Sequence, residues 1–276
     1  MKKHSWAAIP LYLFTLFFVV LPLIYVLALS FMTRNVTWGV DADFTLDNYR
    51  KILDPVYLKT FVSSLEIAVL TTVFTALIGY PFGYFMANLS GAARRITMML
   101  VIIPFWTNAL VRIYGWITLL RPQGLISSIF LGGASLQFLY TRPAVVLGMV
   151  YALLPFMILA VYSSALKLDR SQIDASRDLG ANRFVAFWTI AFHQTLPGLM
   201  SGVVFVFVPS VGLFFISDLM GGGKIMLLGN LIENQLMRSR NLPFGAALAI
   251  VMMAMTLFLL WLYKKITKSG DLEGLI

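Results

Sequence analysis

The chain has 276 residues, of which 59% are hydrophobic and 12% are charged, and its mean hydropathy is +0.85. A chain of this length has no interior large enough for so much apolar surface, so the composition excludes a water-soluble domain and indicates a membrane protein. Cysteine is absent, which excludes disulfide bonds, thiol catalysis and thiolate metal sites.

The formal net charge of +9 does not indicate nucleic-acid binding, because the basic residues lie at the ends of apolar runs rather than along one stripe. Arg94 with Arg95, and Lys264 with Lys265, stand directly beside such ends, where basic residues favour the cytoplasmic side of a membrane. Two lysines also precede the first run. We therefore expect both termini in the cytoplasm.

Six apolar runs are long enough to cross a bilayer, which takes about 20 residues. In chain order they cover residues 8–32, 62–89, 96–120, 143–165, 197–217 and 245–263. The first run is too long for a cleaved signal peptide and no small-residue cleavage pattern follows it, so we expect a retained helix. The sequence thus predicts an all-α membrane protein, with six transmembrane helices in a single domain over residues 1–276.

Prolines lie inside most of these runs. Five of the six runs have a proline well inside their bounds, namely Pro22, Pro81, Pro104, Pro155 and Pro209. Each proline removes a backbone donor and tends to kink its helix, which lipid tolerates only where neighbouring helices or water satisfy the freed carbonyl. The pattern favours a bundle of bent helices around a passage.

Residues 168–197 form a polar island between the fourth and fifth runs. Asp169 is suited to cap a helix, Gln172 to close a capping box with it, and Gly180 to end that helix. Asn182 would then cap a second short helix. The apolar face of that second helix would consist of Phe184, Val185, Phe187, Trp188 and Ile190. We expect the two helices to protrude from the membrane; the alternative is an ordinary interfacial loop.

Groups for catalysis or metal binding are sparse. The two histidines, His4 and His193, are far apart in the chain, and no serine has a plausible base nearby. The glycines at 221–223 before Lys224 lack the spacing of a phosphate-binding loop. The sequence therefore predicts a protein that is not an enzyme and holds no metal. If ATP drives it, another chain binds the ATP.

Three ionisable residues fall within or at the ends of the predicted spans: Glu66, Arg112 and Asp218. Such groups are costly in lipid unless they face a cavity or a partner, so each is a candidate functional residue. A carboxylate beside aromatic rings suits an organic cation, which favours a grouping of Asp218 with Trp106 or Tyr114. A structural alternative stays open, in which Asp218 caps the turn that follows it and Arg112 neutralises Glu66.

The polar island resembles the cytoplasmic signature of the permease subunits of binding-protein-dependent ABC importers. That signature is Glu-Ala-Ala, three residues, Gly, nine residues, Ile, one residue and Leu-Pro. The matching positions here are Asp174-Ala175-Ser176, Gly180 and Ile190, with Phe192-His193 in place of Leu-Pro and Leu196-Pro197 one turn later.

Further strings along nearly the whole chain resemble the spermidine/putrescine permeases of this group. They are Phe44-Thr-Leu-Asp-Asn-Tyr49, Pro104-Phe-Trp-Thr-Asn108, Arg112-Ile-Tyr-Gly115, Leu154-Pro-Phe156, Tyr162-Ser-Ser164, Arg177-Asp-Leu-Gly180, Ser217-Asp-Leu-Met-Gly-Gly222 and Pro243-Phe-Gly-Ala246. Together these strings are specific, whereas most of them singly are not.

The resemblance implies the fold of a type I ABC importer permease with a cytoplasmic coupling helix, carried by a loop of about residues 168–196. It implies a bacterial inner membrane, and as partners a second, similar permease, two ATPase subunits and a periplasmic binding protein. ATP and Mg would bind to the ATPase and no cofactor to this chain. The surface that contacts the ATPase would consist of Asp174, Ala175, Arg177 and Gly180.

The substrate implied by the resemblance is a polyamine. Its path would be lined by Asp218, Glu66, Trp106, Asn108 and Tyr114. Two alternatives stay open. The first is an importer for another small solute, such as an anion or ferric ion, because the coupling loop says nothing about cargo. The second and more distant one is a secondary transporter or channel that needs no ATPase.

Overall fold

The computed structural model describes residues 9–35, 39–122, 124 and 138–267, except the side chains of residues 266 and 267. The two lysines that precede the first apolar run lie outside the described residues. By their contacts, the residues group into two compact units. One unit is Met1–Phe61 with Leu228–Trp261, and the other is Val62–Leu227 with Leu262–Ile276. The single domain over residues 1–276 stays a prediction.

Among the described residues, five helices are long and apolar enough to cross a membrane. They are α1 (Ile9–Ser30), α3 (Pro55–Asn88), α6 (Arg142–Ala165), α8 (Arg183–Gly212) and α11 (Leu242–Thr267). A sixth candidate is a pair of helices, α4 (Gly91–Ile102) and α5 (Ala109–Leu120), which are joined through a 3₁₀ turn at Ile103–Trp106. The structure therefore agrees with an all-α membrane protein of five or six spans.

Shorter elements connect these helices. They are a two-stranded antiparallel sheet of β1 (Thr33–Arg34) and β2 (Val40–Asp41), and the helices α2 (Asp47–Ile52), α7 (Arg170–Asp178), α9 (Phe214–Gly221) and α10 (Leu228–Glu233). A π-helical turn, Leu16–Val20, lies inside α1, and another, Phe187–Ala191, lies inside α8.

Two predicted spans differ from the structure. The run at 96–120 is not one kinked helix, because α4 and α5 meet at 96° where Thr107 turns to an extended conformation and Asn108 caps α5. The span predicted at 197–217 has the wrong bounds. Helix α8 begins at Arg183 and ends at Gly212, and Leu213 separates α8 from α9. Prolines need not break helices here, since both Pro81 and Pro155 lie inside continuous ones.

In the first unit, a buried amide joins α1 to α2. The side chain of Asn48 donates from Nδ2 to the carbonyl oxygens of Ser30, at 3.0 Å, and Met32, at 2.9 Å. The hydroxyl groups of Ser30 and Tyr49 lie 2.7 Å apart, and the ring of Phe31 stacks on that of Phe44. Asn48 thus supplies partners to carbonyl groups at and just after the end of α1, where the helix itself offers none.

In the second unit, glycines let α3 and α8 approach α6 closely. A Cβ added at Gly198 of α8 would lie 2.3 Å from Ser164 Cβ, and one added at Gly83 of α3 would lie 2.7 Å from the carbonyl oxygen of Ile158. Each glycine has a second one four residues away, at Gly202 and Gly79 respectively, which also faces α6. Both helices therefore present the small-xxx-small pattern that is typical of tight packing in membranes.

The same unit has a buried apolar cluster where α5, α6 and α9 meet. Ile113 of α5, Met149 of α6 and Met220 of α9 are all at most 1% exposed. Gly148 makes room for α9, since an added Cβ would lie 2.3 Å from the sulfur of Met220. This cluster fixes the two short helices that carry Arg112, Tyr114 and Asp218.

Candidate functional site

Helix α7 of the polar island begins at the predicted cap. The carboxylate of Asp169 accepts hydrogen bonds from the backbone N–H of Ser171 at 3.0 Å and from its hydroxyl at 2.7 Å, which lower the pKa of Asp169. The Gln172 amide lies 3.5 Å from the same carboxylate. The cap is confirmed. The capping box predicted a bond between the side chain of Gln172 and the backbone N–H of Asp169, but Gln172 contacts the carboxylate of Asp169 instead.

The predicted end of this helix at Gly180 is also confirmed. Gly180 has a φ of +91°, its N–H donates to the carbonyl of Arg177 at 2.9 Å, and the N–H of Ala181 donates to Ser176 at 3.0 Å. Positive φ values favour glycine because it has no Cβ. No heavy atom lies within 4 Å of a Cβ built on Gly180, so the position is restricted by its backbone and not by space.

The second helix of the island begins as predicted but does not end as a short element. Asn182 accepts the backbone N–H of Val185 at 2.8 Å, and the helix then continues through the π-helical turn as α8. The prediction of a separate short helix is wrong because the apolar residues of the island continue into the next run without a helix-ending signal. Of its predicted apolar face, Phe187 contacts the ring of Tyr84 at 5.3 Å, whereas Phe184 is 71% exposed.

Two side-chain contacts attach α7 to long helices of the same unit. Arg170 donates from Nη2 to Oδ1 of Asn88, at the end of α3, over 3.1 Å. Gln194 of α8 donates from Nε2 to Oε1 of Gln172. These helices are also the ones that pack on α6 through glycines, so α7 is joined to two helices that both contact α6.

The residues predicted to couple this chain to an ATPase form an exposed patch. Asp174, Ala175, Arg177 and Gly180 are all exposed on α7 or directly after it. Sequence reasoning missed Leu179, whose side chain is 90% exposed beside them. The available signal was a single large apolar residue between Asp178 and Gly180 in an otherwise polar stretch.

Three predicted substrate-path residues lie at or after the sharp bend between α4 and α5: Trp106 ends the 3₁₀ turn, Asn108 caps α5, and Tyr114 lies within α5. Asn108 caps α5 by accepting the N–H of Leu110 at 2.8 Å, so its amide N–H groups point away from the helix backbone. Trp106 is 83% exposed and Tyr114 is 54% exposed. The bend thus presents two large aromatic side chains and an amide on the outside of this unit.

Arg112 does not neutralise Glu66. Glu66 pairs instead with Arg142, at 3.1 Å from Oε2 to Nη1, which joins α3 to the first turn of α6. The guanidinium of Arg112 lies over two rings, 5.0 Å from that of Phe105 and 5.8 Å from that of Tyr151. Its Nε is buried and has no hydrogen-bond partner among the residues that the structure describes. The aromatic faces stabilise the charge by cation–π attraction.

Asp218 is half-buried on α9, and α9 packs against the helix that carries Tyr114. The backbone carbonyl of Asp218 accepts the N–H of Gly222 at 3.1 Å, where Gly222 has a φ of +60°. The hydroxyl of Ser217 donates to the carbonyl of Ile225 at 2.7 Å. The backbone of Asp218 thus closes the turn after α9, which is the turn that the structural alternative assigns to Asp218.

Comparison with known proteins gives a family and close relatives. Residues 79–269 match the family model described as the inner membrane component of binding-protein-dependent transport systems. The chain is 40% identical to the spermidine/putrescine transport system permease protein PotB of Escherichia coli K12, over 93% of this chain and 96% of that protein. The PotB protein of Haemophilus influenzae is 38% identical, over 92% of this chain and 90% of the relative.

A solved structure shows the same fold. The crystal structure of a bacterial alginate ABC transporter, in complex with an alginate pentasaccharide-bound periplasmic protein, contains a chain that matches with a TM-score of 0.75 at 15% identity. The match covers 95% of this chain and 93% of that chain. The family model spans more than half of the sequence, and the relatives align over nearly all of it. The chain therefore belongs to the family of inner membrane components of binding-protein-dependent transport systems.

Proposed function

We propose that this chain is a permease subunit of an ATP-driven importer that moves polyamines from the periplasm into the cytoplasm. The observation that carries the proposal is similarity over nearly the whole chain to relatives named as spermidine/putrescine permeases. In this proposal the complex contains a second, similar permease, two ATPase subunits and a periplasmic binding protein. ATP and Mg bind to the ATPase, and both termini of this chain lie in the cytoplasm.

The exposed patch on α7 is the proposed contact with the ATPase. It combines Asp174, Ala175, Arg177 and Gly180 with Leu179, whose exposed apolar side chain suits a groove on another protein. The contacts of α7 with Asn88 and Gln194 would pass its displacement to α3 and α8. ATP-driven closure would in this way switch the bundle between inward-facing and outward-facing states.

The cargo would pass the surface near the bend between α4 and α5. A polyamine carries ammonium groups on a methylene chain, so carboxylates and aromatic faces both bind it. Asp218 supplies a carboxylate, and Trp106 and Tyr114 supply aromatic faces. Asn108 adds a neutral amide to the proposed path. Glu66 stays in the proposed path, with its charge compensated by Arg142. Further contacts would come from the second permease.

The proposal is tested by purifying the chain with its candidate partner subunits and measuring ATP hydrolysis after reconstitution. We expect spermidine or putrescine, with the binding protein present, to stimulate hydrolysis. Stimulation by sulfate or ferric ion and not by polyamine would instead favour an importer for another solute. Uptake that follows the membrane potential without any ATPase would favour a secondary transporter.

Replacing Asp218 by asparagine should weaken polyamine uptake more than it weakens assembly. Loss of one charge-assisted contact corresponds to about tenfold in uptake at low polyamine concentration. The measurement is radiolabelled spermidine uptake into proteoliposomes, normalised to assembled complex. Asp43→Asn, which removes the same charge from an exposed loop position, is the matched control. Equal uptake by the Asp218→Asn variant and the parent would remove Asp218 from the path.

A further inference from the structure

A second concave site lies at the base of α7. It is an open cavity of about 370 Å³ between the ends of α3 and α6 and the beginnings of α4 and α7. Its polar lining comes from Asn88, Ser90, Arg94 and Arg170. Neither the exposed patch on α7 nor the proposed cargo path includes any of these residues.

The cavity has a concentrated positive charge. Arg94 donates from Nε to the carbonyl oxygen of Leu89 at 2.8 Å, and Arg170 donates from Nη2 to Asn88 at 3.1 Å. These bonds hold both guanidinium groups beside the turn between α3 and α4 and leave each with several further N–H donors. Within the described part of the chain, neither arginine is in an ion pair.

No carboxylate lines the cavity among the described residues. The neighbouring Asp169 is engaged by Ser171 and Gln172 at the start of α7. The basic side chains also lie near the N-terminus of α4, whose helix dipole disfavours a positive charge. An anion in the cavity would therefore relieve repulsion from two arginines and from the helix dipole together.

The surroundings of the cavity point to a lipid as the source of that anion. Its remaining lining is apolar and includes Ala87, Ala165, Leu166 and Leu168. It also lies where two candidate membrane spans, α3 and α6, end. Basic pockets of this kind, between transmembrane helices on the cytoplasmic side, bind the headgroups of anionic phospholipids.

We propose that this cavity binds the phosphate headgroup of an anionic phospholipid, with Arg94 and Arg170 as its ligands. The side of the membrane rests on the proposed function, which puts α7 in the cytoplasm. A bound headgroup would join the start of α7 to the turn between α3 and α4. The lipid would thereby hold the coupling helix in place.

The test is native mass spectrometry of the whole transporter, delipidated and then titrated with phosphatidylglycerol or phosphatidylcholine. We expect the parent to retain phosphatidylglycerol in preference to phosphatidylcholine. The double variant Arg94→Gln/Arg170→Gln should lose about tenfold in apparent affinity for phosphatidylglycerol. Arg95→Gln is the matched control, because Arg95 is exposed on the same helix and does not line the cavity.

Unchanged retention of phosphatidylglycerol by the double variant would overturn the proposal, as would equal retention of both lipids by the parent. Displacement of the lipid by inorganic phosphate alone would identify a free anion as the ligand and would also overturn it. If the double variant instead loses the ATPase while keeping the lipid, the arginines bind an acidic partner protein.

A second double variant guards against misfolding. Arg94→Lys/Arg170→Lys keeps both positive charges and should retain most of the lipid binding even if the glutamine variant does not assemble. Loss of lipid from an assembled lysine variant would contradict the electrostatic basis of the site. Lipid retention is read by mass and does not depend on cargo. A failure of polyamine-stimulated ATP hydrolysis would therefore be distinguishable from a failure of this inference.

Discussion

Gly180→Val is expected to leave the transporter assembled while abolishing the coupling of ATP hydrolysis to uptake. Gly180 has a φ of +91°, which a β-branched residue does not adopt without strain of about 1–3 kcal/mol. The added side chain meets no neighbour within 4 Å of its Cβ, so the strain is relieved by a changed chain direction after α7 and not by unfolding of the bundle. The exposed patch, which is the proposed contact with the ATPase, is then misoriented.

The measurement is the ratio of polyamine taken up to ATP hydrolysed in proteoliposomes, together with the amount of ATPase that copurifies. Gly180→Asn is the matched control, because asparagine tolerates left-handed backbone better than valine and should retain more uptake. Normal uptake by the Gly180→Val variant would count heavily against assigning the coupling role to the end of α7.

Gly198→Val is expected to destabilise the second unit directly. A Cβ at this position would lie 2.3 Å from Ser164 Cβ and 2.8 Å from the backbone carbonyl oxygen of Ala160. Neither atom is at the end of a flexible side chain, so α6 and α8 must separate. Overpacking of this kind costs about 1–3 kcal/mol, and occasionally more. The thermal midpoint of the purified complex should fall accordingly.

Two other glycines calibrate this expectation. Gly115→Ala has no atom within 4 Å of the new Cβ and lies inside a helix, where alanine is favoured over glycine, so it should not lower the thermal midpoint of the complex. Gly202→Ala meets the sulfur of Met157 at 2.4 Å, and that flexible side chain is able to move, so a smaller loss is expected. A Gly198→Val protein as stable as Gly115→Ala would show that the two helices are not packed as described.

The features that sequence reasoning predicted well are local ones. The Asp169 cap, the glycine at the end of α7 and the Asn182 cap all depend on residues within a few positions of one another. Five of the six spans were found because their apolar runs are long compared with a bilayer. The break in the remaining run, between α4 and α5, also had a local signal, because Asn108 is a good helix cap and closely follows Pro104. The continuous hydrophobicity of the run concealed this signal.

The features that it missed depend on which helix faces which. Glu66 and Arg142 are separated by 76 residues, and only the packing of α3 beside α6 shows that they pair. The closeness of Asn88 to Arg170, across 82 residues, is of the same kind. The glycine pairs of α3 and α8 were visible as small residues four positions apart, but their common neighbour α6 became evident only from the three-dimensional contacts.

The break before α5 restricts what the outside of this unit faces in the cell. At Thr107 the backbone leaves the helix, and both Thr107 and Asn108 are exposed in the isolated chain. Hydrocarbon offers no partner for irregular main chain, so such a corner cannot border the acyl tails. It must be wet or lie against protein. The ring of Trp106 therefore faces either a water-filled space or the interface with another subunit.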